Sequence, residues 1–347
     1  ETEAPYQETI NSSSIHIQIA LRKRTFDFKR SQEVLSALKD GSLGAMEREK
    51  PKLSLGSLKG KKYLAPLTTV VRTPSEYSLV KRHPCEKIFG VQLAGGFPDT
   101  MAKAAQILVD EMEIDFIDIN MGCPIDVVNQ KGGGCALPNR PNKMVEVISA
   151  MRGVMLGVPL TVKIRTGLKE GVLTADETIK TMITSAKPDL ITFHPRSKEQ
   201  RYTKLAKWDF VNPCLAACGE VPLWVCGDVL SWEDYYQRLE QYPVSGIMIG
   251  RGALIKPWIF TEIDEFRTWD ISANERLDLL KKYIPVGLLE RLPQRINDRP
   301  PLHRGRNELE TLLSSPRAVD WIEISRMLLG PTPEGFTFIP KHKASSY

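Results

Sequence analysis

The stretch Asn120-Met-Gly-Cys123-Pro124 sets a cysteine directly before a proline, and Lys131-Gly132-Gly133-Gly134-Cys135 follows shortly after. A thiol in such a place is a small buried hydrophobe, a nucleophile or, when protonated, a general acid. No histidine lies nearby in sequence to activate it, since the five stand at 16, 83, 194, 303 and 342. The proline and the glycine run describe a shaped loop whose backbone can come close to a flat or phosphorylated ligand. Lys163 and Arg165 occupy alternate places on one apolar run, so they point the same way. Two such cations call for an anion or a polarised carbonyl between them, or for an ion pair with an inward acid such as Asp118. His194 ends the next apolar run, and Gln92 and Asn120 lie near the ends of earlier ones. Cys226-Gly227-Asp228 and Gly250-Arg251-Gly252 close the last two. Glycine turns with a guanidinium beside them, placed after late strands, are a phosphate site in barrel folds.

These residues share a location because of the elements that carry them. Seven short β-rich runs alternate with helix-like segments: 62–67, 89–94, 116–120, 160–165, 190–194, 223–226 and 246–250. Strands alternating with helices indicate parallel βαβ units. Polar residues gather at the carboxyl ends of the runs, which is where a (β/α)8 barrel builds its active site. No early Gly-x-Gly-x-x-Gly turn supports a doubly wound open sheet instead. The fold class expected is therefore α/β, a (β/α)8 TIM barrel followed by a smaller α-helical domain. Seven runs leave the barrel one βα unit short, and the gap falls between Leu67 and Phe89, where turns and one short helix stand in place of a full unit. The expected divisions are an amino-terminal extension over 1–58, polar and partly disordered; the barrel over 59–256; and a shortened helical domain over 257–347.

Among the 347 residues no apolar run is long enough to span a membrane, and the acidic start has no signal-like stretch. The chain begins on Glu1 rather than Met, as a piece of a longer protein would. Six cysteines at irregular spacing argue against a secreted disulfide framework. Cys214 and Cys218 lack the further ligands of a zinc site, so no metal is expected. An intracellular setting, cytoplasm or nucleus, fits better, with the protein a monomer. The net charge of +5 is mild, but Arg196, Lys198, Arg201, Lys204 and Lys207 form one dense cluster and Lys341-His342-Lys343 another. Such clusters can neutralise phosphates, or can be solvated faces without a partner.

A rim with a phosphate site, a lysine, a glutamine, a histidine and a proton-carrying cysteine fits flavin mononucleotide better than hydrolysis, because no carboxylate pair or metal cluster accompanies it. At this point the residues resemble a known family. Ala65-Pro66-Leu67-Thr68, Gly90-Val-Gln92, Asp118-Ile-Asn120-Met-Gly-Cys123-Pro124, Lys131-Gly-Gly-Gly-Cys-Ala-Leu137, Thr161-Val-Lys163-Ile-Arg165-Thr-Gly167 and Gly250-Arg251-Gly252-Ala253 are similar to motifs of the tRNA-dihydrouridine synthases, in the same order. Arg201-Tyr-Thr-Lys204, the stretch 285–291 and 340–343 look like the eukaryotic branch that modifies the variable-loop uridine at tRNA position 47. The resemblance implies an FMN-dependent reduction of uridine to 5,6-dihydrouridine in tRNA, with NADPH or NADH as hydride donor and mRNA as a second candidate substrate. It implies that Pro66, Leu67 and Thr68 line the flavin and that Gln92, Lys163 and His194 surround its ring. Cys226, Gly227, Asp228, Gly250 and Arg251 would hold its phosphate end. Cys123 would be the general acid at carbon 5 of a flipped-out uracil. Asn120, Lys131, Arg165, Arg196, Arg201 and Lys204 would face the substrate and its RNA.

The chain departs from the family pattern in three places. After Thr69 it passes directly into Val70-Val-Arg-Thr-Pro74 and regains the pattern near Leu79, so the family's second strand and its helix have no counterpart. This is the unit already missing by count. Near 281–284 part of the helical domain is likewise short. Pro195 stands where a glycine usually follows the histidine, and Cys226 where an asparagine usually precedes Gly-Asp. Two further readings stay open: a catalytically inactive shortened isoform that binds RNA or protein, and a different FMN barrel acting on a small pyrimidine.

Overall fold

A computed structural model of the chain describes residues 27–45, 62–64, 82, 86–272, 274–279, 308–313 and 318–331. The expectations for Pro66, Leu67, Thr68 and the 341–343 cluster fall outside the described residues. Within them the β-rich runs form strands: β1 (Lys62–Leu64), β2 (Gly90–Leu93), β3 (Phe116–Met121), β4 (Leu160–Arg165), β5 (Leu190–His194), β6 (Leu223–Cys226) and β7 (Gly246–Ile249). The intervening helices are α2 (Pro98–Glu111), α3 (Asp126–Gln130), α4 (Pro141–Val154), α5 (Ala175–Ser185), α6 (Val211–Cys218), α7 (Trp232–Gln241), α8 (Arg251–Ile255) and α9 (Ile259–Glu265), with α1 (Lys29–Asp40) before them. Local chemistry sets several of the starts. Proline opens α2 and α4, where its missing N–H costs nothing. Ser231 and Asp234 close a reciprocal capping box on α7.

All strand pairs are parallel, and the sheet order is β1-β7-β6-β5-β4-β3-β2. This is the cyclic order of a barrel cut once. β1 closes onto β7, but no described residue joins β1 to β2, so the fold is an α/β barrel one unit short. The cut lies where the strand count placed it.

Strand alternation assigns the two faces. Ile117, Ile119, Met121, Val162, Ile164, Ile191 and Phe193 are fully buried under the helices, in one cluster with Met101 and Ala105 of α2, Met144, Val147 and Met151 of α4, and Ile179 and Met182 of α5. Each such side chain contributes about 1.5–3 kcal/mol on burial. The intervening positions, Gln92, Asp118, Asn120, Thr161, Lys163, Thr192, Arg165 and His194, face the concave interior. Cys214 and Cys218 lie on α6 as buried hydrophobes, and burial pushes the Cys218 thiol up to about 12.

Within the expected amino-terminal extension the structure describes residues 27–45. Helix α1 docks on α2 and α4. Val34 is buried in the main core, and Ser31 donates to Gln106 Oε1 through its amide (3.0 Å) and its hydroxyl (2.5 Å). Arg30 pairs with Asp110 at 2.6 Å. The signal was two-sided and easy to miss. A Cβ at Gly153 of α4 would stand 2.7 Å from Val34, so a glycine in one helix admits the valine of another.

Beyond Thr268 the chain forms a second compact unit, residues 269–347. It holds a helical stretch over 274–279, α10 (Glu308–Leu313) and α11 (Ala318–Leu329), the last two packed on each other. Helix α9 packs on α7 within the first unit.

The glycine run also acquires a structural duty. Gly132 and Gly134 have φ of +77° and +57°, and a Cβ on Gly133 would lie 2.8 Å from the Gly95 backbone nitrogen. A Cβ on Gly134 would meet the Cys123 carbonyl oxygen at 2.5 Å. The close approach these glycines permit is to the backbones of two neighbouring loops. Gly134→Ala is expected to lower stability by about 1–3 kcal/mol. Gly41→Ala, with φ +80° but open space around it, is expected to lose less. Urea unfolding of the two variants measures the difference.

Candidate active site

The interior positions form rows across the sheet. Gln92 pairs in register with Asp118 and Asp118 with Thr161; Asn120 with Lys163 and Lys163 with Thr192; Arg165 with His194. In the first row Asp118 accepts from Gln92 Nε2 and from Thr161 Oγ1, both at 2.6 Å. Burial raises the Asp118 pKa; the bonds from Thr161 and Gln92 and the charge of Lys163 oppose that rise. Asn120 Nδ2 donates to Gln92 Oε1 at 2.7 Å and so ties the second row to the first.

The other end of Asn120 shapes the cysteine loop. Its Oδ1 accepts from the amides of Gly122 (3.1 Å) and Cys123 (2.8 Å), which is an Asx turn at the strand end. Arg165 Nε donates to the Gly122 carbonyl at 2.7 Å. The Cys123 carbonyl accepts from Asn129 Nδ2 (3.0 Å) and from the Cys135 amide (3.1 Å). The backbone of Cys123 is thus held from three directions. Its half-buried thiol makes no hydrogen bond with a described residue. Cys135 differs: it is 4% exposed, its Sγ lies 3.2 Å from the Gly122 carbonyl, and burial pushes it up to about 11.

Lys163 is half-buried and makes no hydrogen bond or ion pair with any described residue. Arg165 does not share that freedom. It is buried, and its guanidinium also donates to the carbonyls of Ser197 (3.0 Å) and Arg201 (3.3 Å). His194 is buried at the end of β5, and Arg196 Nη1 lies 3.1 Å from its Nε2. Burial, then the charges of Lys163, Arg165, Arg196 and Arg251, hold the imidazole well below its ordinary pKa.

At the end where a phosphate was expected, Asp228 adopts a positive φ of 50°, a region aspartate enters more readily than most residues. Its carboxylate accepts from Arg196 Nη2 at 2.5 and 2.6 Å, from Arg251 Nη2 at 2.6 Å and from the Ala206 amide at 2.7 Å. Burial pushes Asp228 up, but these bonds and the two guanidinium charges outweigh it, so it sits below the usual carboxylate range. Gly227 takes φ +153°, and Cys226 is buried at the strand end before it. Gly250 leads into α8, which begins at the half-exposed Arg251.

The remaining expected RNA contacts divide by exposure. Lys131 and Arg201 are exposed, and Lys204 is exposed and pairs with Glu170 at 2.8 Å. Arg196, read from sequence as part of a basic surface cluster, is 2% exposed and turned inward, because Asp228 and the Lys204 carbonyl (2.8 Å) take its guanidinium. Three participants were not picked out as site residues. Asp118 and Thr161 satisfy the interior row. Tyr202 is 59% exposed, with the guanidinium carbons of Arg251 and Arg165 at 5.3 and 5.6 Å from its ring centre and the His194 ring at 6.3 Å. An aromatic inside a basic cluster was the available signal for Tyr202. Asp118 was legible as an inward acid, but in place of an ion pair with Lys163 or Arg165 it accepts from Gln92 and Thr161, and Thr161 carried no signal because its role depends on cross-strand register. The donor set fits a flavin on this structure's own geometry: the interior amides and Arg165 are engaged by protein, while an ammonium and an imidazole face the mouth beside a guanidinium.

Known proteins are similar to this chain in sequence. Residues 67–300 match the family model described as "Dihydrouridine synthase (Dus)". A Homo sapiens protein named "tRNA-dihydrouridine(47) synthase [NAD(P)(+)]-like" is 48% identical over 350 residues, covering 84% of this chain and 53% of its own length. A Xenopus laevis protein of the same name is 50% identical over 306 residues, covering 79% of this chain and 47% of its own. In Coprinopsis cinerea a "tRNA-dihydrouridine(47) synthase [NAD(P)(+)]" is 42% identical over 360 residues, covering 83% and 53%. The chain spans about half the length of the curated relatives it matches. The human alignment runs over 350 positions while drawing on 84% of 347 residues, so that relative carries extra residues inside the matched region. With the family model matched over most of its length, the chain belongs to the dihydrouridine synthase family.

Proposed function

We propose that this chain reduces uridine to 5,6-dihydrouridine in tRNA, at variable-loop position 47, with FMN in the barrel mouth and NADPH or NADH as the source of reducing equivalents. One observation carries the reading. Three successive strands, β3, β4 and β5, carry at or within two residues of their carboxyl ends groups whose hydrogen-bonding capacity is not taken up by described residues: the Cys123 thiol, Lys163 Nζ and His194 Nδ1. The family to which the chain belongs and the names of its relatives support the choice of substrate. When bound, FMN supplies the hydride for carbon 6 of the uracil.

The chain's own residues do the rest. Lys163 and His194 hold ring carbonyls and stabilise negative charge that develops there. Arg251 holds the phosphate, with Asp228 fixing the guanidinium beside the Gly227 and Gly250 turns. The Cys123 thiol keeps a proton aimed at carbon 5, its backbone immobilised by Asn120, Arg165 and Asn129. A general acid needs the protonated form, so no activating histidine is required. Lys131, Arg201 and Lys204 neutralise RNA phosphates, and Arg165 acts from beneath by bracing the Cys123 loop. The segment after residue 256 serves as the RNA-binding domain, in a monomer that works in the cytoplasm or nucleus. An mRNA uridine in a similar fold is a second substrate.

A second reading has its own observation. Among the described residues nothing joins β1 to β2, and a strand edge left without a partner costs stability and invites pairing with other chains. A shortened form that no longer holds FMN would act as an RNA- or protein-binding module.

Purified 347-residue protein is expected to carry a visible flavin spectrum and to form dihydrouridine on unmodified tRNA. A colourless, folded protein without turnover would favour the binding module. Cys123→Ala should keep bound flavin and its reduction by NADPH, and lose turnover by about 10²–10⁴-fold. Turnover equal to the parent would remove Cys123 as the proton donor. Lys163→Ala should weaken flavin retention through gel filtration, which absorbance of the eluted protein reads directly.

A further inference from the structure

An arginine side chain carries donors and no acceptor. The contact of 3.1 Å between Arg196 Nη1 and His194 Nε2 therefore has only one consistent form, in which Nε2 offers its lone pair. We propose that Arg196, clamped by Asp228, is a positioning residue that holds His194 as a neutral imidazole with its proton on Nδ1, so that the barrel mouth presents a hydrogen-bond donor of fixed direction to a ring carbonyl.

Every nitrogen of Arg196 has an assigned partner. Nε donates to the Lys204 carbonyl at 2.8 Å, Nη1 meets His194, and Nη2 donates to both carboxylate oxygens of Asp228. Asp228 is itself held by Arg251 and by the Ala206 amide. The guanidinium cannot turn away from the imidazole without breaking its charge-assisted bonds to Asp228. The surroundings point the same way. Lys163 and Arg165 face the ring from β4, Arg196 from its own loop and Arg251 from the turn after β7, while the negative charge of Asp228 lies behind Arg196. A proton on Nε2 would set two N–H groups head to head, and protonating both ring nitrogens would in addition place a cation beside four others. Nδ1, which has no partner among the described residues, then carries the single ring proton. The other tautomer would present a lone pair there and repel a carbonyl. That the carbonyl belongs to flavin or to pyrimidine rests on the reading above; the tautomer does not.

The test is nitrogen NMR of the full chain labelled with ¹⁵N-histidine, with His194 assigned by its loss in His194→Gln. The result expected at pH 7 is one protonated nitrogen, Nδ1, and one bare nitrogen, Nε2, persisting below pH 6.5. A His194 signal protonated at Nε2, or at both nitrogens, at pH 7 overturns the proposal. In Arg196→Met, and in the milder Asp228→Asn, the ring should populate Nε2–H and begin to titrate closer to the ordinary value of about 6.5. Arg196→Lys, another donor without an acceptor, should restore the Nδ1–H state where methionine does not. A methionine variant that keeps the parent spectrum also overturns it. Flavin absorbance on the same samples separates the two readings: a colourless protein with the Nδ1–H pattern sinks the flavin and leaves the tautomer standing. Linkage adds a stability signature. The unfolded histidine takes a proton below about pH 6.5 that the folded one refuses, so parent stability falls as pH drops through that value. His194→Gln should lose that part of the slope in urea titrations at stepped pH.

Discussion

A barrel interior lined with amides and a carboxyl holds together only if those groups satisfy one another, since each buried polar group left without a partner costs about 1–3 kcal/mol. Gln92, Asp118, Asn120 and Thr161 meet that requirement in a connected row across β2, β3 and β4. The row has a chemical consequence as well as a structural one. Because Asn120 bonds to Gln92 with one end and to the Cys123 loop with the other, the network that stabilises the interior also fixes the backbone around the thiol. Arg165 extends it by bonding the Gly122 carbonyl from the neighbouring strand.

The same satisfaction rule sorts the cations. Arg165 and Arg196 are buried and taken up by carbonyls and a carboxylate, so they act as braces. Lys163 is near them, but its flexible stem ends in a point charge with no described partner. A guanidinium has a planar fork suited to bracing several acceptors at once, whereas an ammonium on a long stem can reorient toward a ligand. Asp228 links this division to the glycine turns at 227 and 250, because one carboxylate orients both an inward and an outward arginine.

Among the described residues the ring of strands is interrupted between β1 and β2. The order of the remaining strands is undisturbed, since each pairs with the neighbours a complete barrel would give it. All the groups assembled at the mouth come from β2 to β7 and their following loops, which form a continuous stretch of sheet. The cut therefore removes neighbours from β1 and β2 while leaving the Cys123, Lys163 and His194 strands paired on both sides.

Much of the fold was legible because it is written in short-range patterns. The runs at 160–165, 190–194 and 223–226 coincide with strands. The shortfall of one unit could be counted. Helix α1 was read as part of a loose extension because its buried face is small, and its docking depends on Gly153, more than a hundred residues away in the chain. By itself the sequence determined which residue types stand at strand ends, and so which chemistry the mouth can hold: a thiol, an ammonium, an imidazole and a guanidinium beside glycine turns. Only the tertiary structure decided which of them are engaged by protein and which face the mouth. It turned Arg196 inward, made Asp228 the clamp for two arginines and set the Gly132–Gly134 run against neighbouring loops. The reason is physical: strand alternation is local, but hydrogen-bond partners across a barrel are chosen by register and distance between segments far apart in the chain.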